Sequence, residues 1–218
     1  LMLNEDGMVY ADGVTTRLDE NHYIMTTTTG GAANVLSKLE DYLQTEWPEL
    51  DVYLTSVTDH FATISVCGPN SKKIVSTVID DLDFSDENFP HMTFKNAKIG
   101  KINCRVMRIS FTGELSYEIN VQANYAKSVW EKCMEAGKDF NITPYGTETM
   151  HLLRAEKGFI IVGQDTDGTM TPVDLQMDWI VSKKKYDFIG KRSLYRSDTI
   201  REDRKQLVGL LTDNPDEI

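Results

Sequence analysis

The sequence is poor in cysteine, with three among 218 residues. Cys67, Cys104 and Cys133 lie far apart and are odd in number, which excludes a Cys-x-x-Cys pair and gives no basis for a disulfide framework. They fit reduced, buried thiols of a cytoplasmic protein. Histidine is scarce as well. His22, His60, His91 and His151 offer no pair at the i, i+4 spacing that sets two ligands on one helix face, so no metal site is expected. Cations are outnumbered, 23 Lys and Arg against 34 Asp and Glu, and the net charge of −11 disfavours nucleic acid, whose phosphates are bound by neutralising cations. No apolar run approaches the ~20 residues needed to cross a bilayer, and no charged-then-apolar leader opens the chain, so no membrane partner is expected. There is no G-x-G-x-x-G after a strand, no Walker sequence and no G-x-S-x-G elbow. Dinucleotide, nucleoside triphosphate and nucleophilic hydrolase sites are therefore not visible, and any flavin or nicotinamide belongs to another domain or subunit.

What is present is 40% apolar residues, enough for a proper core. The chain opens on Leu1-Met2-Leu3-Asn4, and an internal piece of a longer polypeptide, truncated at both ends, is expected. Met8 to Leu18 and His22 to Thr29 read as a hairpin around Asp19-Glu20-Asn21. Val35, Leu36, Leu39, Tyr42 and Leu43 recur at three and four residues, predicting a helix from Ala32. Strands are predicted over Asp51 to Thr55, Phe61 to Cys67, Phe94 to Ile99 and Ile102 to Ile109, with a helix opened by Gly68-Pro69-Asn70-Ser71. Asp80 to Glu87 reads as a solvated acidic connector. Tyr125 to Ala136 and Thr147 to Lys157 are predicted helices, each closed by a glycine, Gly137 and Gly158. A further strand-like run lies at Gln206 to Leu211. The pattern is α+β, with helices on one face of mostly antiparallel sheets, and the similar order within 7–79 and 90–157 hints at duplicated ferredoxin-like units.

The stretch that draws most attention is Ser110 to Val121. It reads as a strand end, a Thr-Gly turn and a strand in which Tyr117, Ile119 and Val121 share one face while Glu118 and Asn120 share the other. A carboxylate on so rigid an element suits a ligand edge with two adjacent N–H donors, such as that of a reduced pterin; a solvated strand residue is the alternative. Asp12, in Tyr10-Ala11-Asp12-Gly13-Val14, stands where β propensity disfavours it, and could handle a proton at an amine or mark a strand edge. Arg154, between apolar neighbours on its helix, could pair with Glu148 or Glu156. Trp179 could pack in the core or stack on a flat ligand.

Four stretches then occur in an order and spacing that resemble one family: Ser110-Phe111-Thr112-Gly113-Glu114-Leu115-Ser116-Tyr117-Glu118, Leu153-Arg154-Ala155-Glu156-Lys157-Gly158, Thr171-Pro172-Val173 to Trp179, and Asp187-Phe188-Ile189-Gly190-Lys191. They resemble the tetrahydrofolate-binding aminomethyltransferases, the glycine cleavage T protein family. Asn4-Glu5-Asp6-Gly7 and Thr26 to Ala33 are most similar to the branch formed by the folate domains of heterotetrameric sarcosine oxidase α subunits.

The resemblance implies a T protein-like folate fold over residues 1–204 and the start of a C-terminal barrel-like domain over 205–218. It implies tetrahydrofolate as the one-carbon acceptor, a one-carbon donor, and other oxidase subunits or domains as partners. By position, Glu118 matches the glutamate that grips the pterin, Asp12 the catalytic aspartate near the folate nitrogens, Arg154 the folate-site arginine and Trp179 an aromatic of the same pocket. Phe111 and Thr28 stand where the T protein has tyrosine and asparagine, so altered polar contacts are implied at both. Lys157-Gly158-Phe159 lacks the thiol of the Lys-Gly-Cys motif that marks the non-catalytic iron–sulfur assembly branch. A T protein, a dimethylglycine dehydrogenase-like folate domain and a module that only binds folate or holds subunits together are the alternatives.

Overall fold

The computed structural model describes residues 1–211 and 213. Two compact units are defined by its contacts, Leu1–Leu54 with the chain from Ile160 onward, and Thr55–Phe159.

In the first unit, β1 (Met2–Leu3) pairs antiparallel with β2 (Val9–Ala11), and β3 (Gly13–Asp19) forms a hairpin with β4 (His22–Thr27). The turn is made by Asp19, whose carboxylate accepts the Glu20 N–H at 2.7 Å. The predicted single run from Met8 to Leu18 is thus two strands broken at Asp12. Gly13 permits the break, because a Cβ there would collide with the carbonyl oxygen of Thr26 across the hairpin. Helix α1 (Ala32–Thr45) follows and buries Val35. A small core gathers Val9, Ile160 and Leu175, with Leu3, Met170 and Leu207 packed against it.

The second unit is built on a four-stranded antiparallel sheet in the order β5 (Phe61–Cys67), β8 (Ser116–Gln122), β7 (Ile102–Met107), β6 (Phe94–Ile99). Between β5 and β6 runs α2 (Ser71–Val78); after β8 come α3 (Ala126–Ala136) and α4 (Thr147–Lys157). One face of the sheet is apolar, as period-2 alternation requires: Ile64, Val66, Cys104, Val106, Tyr117, Ile119 and Val121 are buried with Ile74, Val75 and Val78 of α2 and Val129 and Cys133 of α3. Each buried Val, Ile or aromatic there is worth about 1.5–3 kcal/mol of removal from water. Tyr117 closes the core against Phe84 and Phe89, with ring centroids 5.4 and 5.8 Å away.

The α+β reading and most predicted elements stand, with three differences. Asp51–Thr55 forms no strand, because no partner strand is available and Tyr53 is 90% exposed. Gln206–Leu211 has no regular structure; the remainder of the expected C-terminal segment, apart from Asp213, lies outside the described residues. The stretches 7–79 and 90–157 do not keep to separate sheets: Phe61–Cys67 of the first, as β5, is hydrogen-bonded along its length to β8 of the second.

Candidate functional site

The face of the second unit's sheet opposite α2 and α3 carries Thr63 and Ser65 from β5, Glu118 and Asn120 from β8, and Arg105 and Met107 from β7. An antiparallel sheet often leaves one face to water, and polar residues there are unremarkable when hydrated. These are not freely hydrated. Asn120 is 5% exposed, and Glu118 is shielded enough that burial, with no other influence, pushes its carboxyl above the usual glutamate range. No hydrogen bond or ion pair reaches Glu118 among the described residues. A half-buried strand carboxylate that accepts no hydrogen bond among the described residues is electrostatically complementary to a ligand that brings N–H donors.

Glu118 sits opposite Ser65 on β5 and Met107 on β7. Ser65 Oγ is 3.3 Å from Ser116 Oγ, and the Tyr145 phenol lies beside Ser65 and Cys67. Burial raises the Tyr145 phenol above its ordinary value, and the nearby charge of Glu118 adds to the shift. Tyr145 is therefore a neighbour of Glu118 that the sequence did not single out. It belongs to Pro144-Tyr145-Gly146 ahead of α4, where no periodicity marks it.

Arg154 is on α4, buried at 7% exposure, and its Nη1 donates to the carbonyl oxygen of Phe159 at 3.0 Å. The same residue's carbonyl accepts the Phe159 N–H, and Gly158 adopts φ +81°, so arginine and left-handed glycine together close the helix. Phe111 is half-buried in the 110–115 loop, which is drawn against the end of this helix: a side chain at Gly113 would collide with the stem of Lys157. Ser110 Oγ accepts the Gly113 N–H at 2.9 Å and fixes the turn.

In the first unit Asp12 and Thr28 are brought together. The Thr28 hydroxyl donates to Asp12 Oδ1 at 3.2 Å, joining the break between β2 and β3 to the end of β4. This supplies the local compensation that an aspartate beside strands calls for. Trp179 is on the 3₁₀ turn Asp178–Ile180 and is 74% exposed, so the core position expected for a tryptophan is not the one it takes. The Thr171-Pro172-Val173-Asp174 stretch has a structural role that its sequence did not announce. Asp174, 1% exposed, accepts the Thr171 N–H at 2.7 Å and hydroxyl at 2.9 Å and is gripped by Arg204, whose Nε reaches Oδ1 at 2.8 Å. Burial pushes the Asp174 carboxyl up, but Arg204 and the Thr171 donors together outweigh it and hold the carboxyl below the usual aspartate range.

Among the described residues no helix is long and apolar enough to cross a membrane, and no group of three or more His, Cys, Asp or Glu could hold a metal ion.

One face of the sheet is apolar and covered by helices, and the opposite face is polar and carries a half-buried glutamate, an α+β architecture. The chain belongs to the glycine cleavage T protein family: the model of the GCVT N-terminal domain matches residues 1–185. It is 58% identical over 212 residues to sarcosine oxidase subunit alpha of Corynebacterium sp. (strain P-1), and 44% identical over 217 residues to that of Rhizobium meliloti (strain 1021). These matches cover 97% and 99% of this chain but only 22% of each relative's length. In fold it is similar to glycine cleavage system aminomethyltransferase T from Bartonella henselae, with TM-score 0.73 at 22% identity, over 88% of this chain and 50% of the other.

Proposed function

We propose that this chain is a folate-binding part of a sarcosine oxidase α subunit, in which tetrahydrofolate captures the one-carbon unit released when sarcosine is oxidised. The observation that carries the reading is Glu118, a shielded strand carboxylate without a partner, within a chain 44–58% identical to sarcosine oxidase α subunits. A pterin edge offers two adjacent N–H groups, and an ionised glutamate can accept both. The residues therefore fit the group. Flavin chemistry, on another domain or subunit, would supply the imine of glycine.

When bound, tetrahydrofolate would supply two nitrogens to take up the one-carbon unit, releasing glycine. Glu118 would hold and orient the pterin. Asp12, with its Oδ1 tied to the Thr28 hydroxyl, would take and return a proton at the folate nitrogens, a role commonly worth about 10² to 10⁴ in rate. Arg154 and Phe111, in the same unit as Glu118, would line the folate there, with Phe111 giving apolar contact only, and the resemblance assigns Trp179 to folate as well.

Isothermal titration of tetrahydrofolate into the chain tests the reading. Saturable binding that weakens in Glu118→Gln is expected; no binding under anaerobic, reducing conditions overturns it.

A further inference from the structure

Two register positions along β8 from Glu118, the same sheet face holds a second electrostatic demand of the opposite sign. Arg105 stands between Asn96 on β6 and Asn120 on β8. Its Nε and Nη1 are both buried, and neither has an acceptor among the described residues. Asn120 is in the same condition. Its Oδ1 accepts the Thr63 hydroxyl at 3.1 Å, which leaves the buried Nδ2 without an acceptor. Arg108, nearby in sequence, shows what a satisfied arginine looks like here: its Nη1 reaches Asp86 at 2.8 Å and the Phe89 carbonyl at 2.7 Å.

Arg105 and Asn120 line a cleft of about 950 Å³ formed entirely by the second unit. That is the size of an ordinary small-molecule site. Its other charged residues are Lys98, Lys101, Asp80 and Asp81, so three cations face two carboxylates and one positive charge is in excess. Asp80 is already engaged, its Oδ2 accepting the Gly100 N–H at 2.6 Å. The buried atoms of its lining residues that lack partners, Arg105 Nε and Nη1 and Asn120 Nδ2, are all donors, and the excess charge is single. A phosphate dianion would be overcharged for the cleft, and a neutral ligand would leave the guanidinium uncompensated.

We infer that Arg105 and Asn120 form a binding subsite for a small organic monocarboxylate. The Arg105 guanidinium and the Asn120 amide donate to the carboxylate oxygens, while Lys98 and Lys101 supply attraction at the rim. The subsite does not depend on the folate reading, and it is tested without folate.

The cost of leaving two buried guanidinium nitrogens without acceptors gives the test its sign. Thermal unfolding of the full chain is followed in acetate or lactate, with phosphate and chloride at matched ionic strength. Acetate and lactate should raise the midpoint saturably and shift the Arg105 Nε–H resonance. Arg105→Met should raise the midpoint of the free protein and abolish the carboxylate response. Asn120→Asp, which places a carboxylate against Arg105 from within, should do the same. Arg105→Lys should retain binding weakened about tenfold or more, since the fixed guanidinium geometry is lost. A wild type without saturable response to carboxylates would overturn the subsite. So would Arg105→Met lowering the midpoint with the carboxylate response intact, as a purely structural arginine requires. Equal saturation by phosphate would overturn the assignment to carboxylate.

Discussion

Glu118→Gln separates a shielded, ligand-gripping carboxylate from a merely solvated one, because the first predicts a gain in stability with a loss of affinity and the second predicts neither. Burial alone raises the Glu118 carboxyl above its ordinary value, and no donor among the described residues offsets it. Between the unfolded and the raised folded value, the native state binds more protons than the unfolded chain. The stability contributed at this position is therefore present at low pH and is lost as pH rises through that window. Glutamine is nearly isosteric and does not ionise. The variant should match the wild type in stability at low pH and exceed it at neutral pH and above, with the gap opening as pH climbs.

Binding should move the other way. Replacing two charge-assisted hydrogen bonds by one neutral one, and turning an amide N–H toward a ligand N–H, costs about 2–4 kcal/mol, or roughly 30-fold to 1000-fold in affinity. Urea unfolding at a series of pH values and calorimetric titration with tetrahydrofolate measure the two effects on the same preparation. A variant that gains stability and loses affinity supports the grip. A variant that is destabilised at high pH, or that binds tetrahydrofolate as tightly as the wild type, refutes it.

Other residues give sharper single outcomes. Tyr117 is wholly buried and its hydroxyl has no partner, so Tyr117→Phe should keep the ring contacts and raise unfolding stability by up to about 1–3 kcal/mol, read from urea midpoints. Arg204→Ala strands the buried Asp174 carboxylate and should cost about 3–5 kcal/mol. Because the Asp174 carboxyl is held low in the folded state, its contribution is present above the ordinary aspartate value and lost as pH falls through the folded value, so the variant's deficit should shrink in acid. Asp12→Ala in the assembled oxidase should slow one-carbon transfer by about 10² or more while changing folate affinity far less; unchanged turnover at saturating folate removes Asp12 from the chemistry.

The parts of this protein legible in its sequence are those set by local pattern. The alternation of Tyr117, Ile119 and Val121 against Glu118 and Asn120 is reproduced strand by strand, because a pleated backbone allows no other arrangement once one face is apolar. Helix α4 keeps its predicted limits, since the glycine stop at Gly158 is itself local. What the sequence hid depends on distant partners. Asp51–Thr55 has strand composition but no neighbour to pair with, and Asp12 breaks a run only because Gly13 must pass close to Thr26. The role of Asp174 depends on Arg204, thirty residues on, which closes on it. Tyr145 carries no periodic signal, and the alternation within β7 puts Arg105 on the polar face without saying what it meets. Their significance lies in what they face.

The two charges on the open face of the sheet are best understood together. Glu118 and Arg105 occupy neighbouring strands two register positions apart, close enough that a small rearrangement of side chains could be imagined to pair them. They do not pair: each is shifted by burial alone, with no contribution from the other. A mutual ion pair would satisfy both at no cost in composition, and its absence leaves a donor-seeking carboxylate and an acceptor-seeking guanidinium side by side. A surface evolved only for hydration would expose these groups, and one evolved only for stability would join them. Holding both half-buried and apart is the arrangement expected of a binding face that meets two different groups, one rich in N–H donors at Glu118 and one anionic at Arg105. Removing each charge separately gives the decisive comparison: Glu118→Gln should leave the carboxylate response at Arg105 intact, and Arg105→Met should leave tetrahydrofolate affinity intact, if the two demands are met by separate ligands. Loss of both responses in either variant would instead assign one ligand to the whole face.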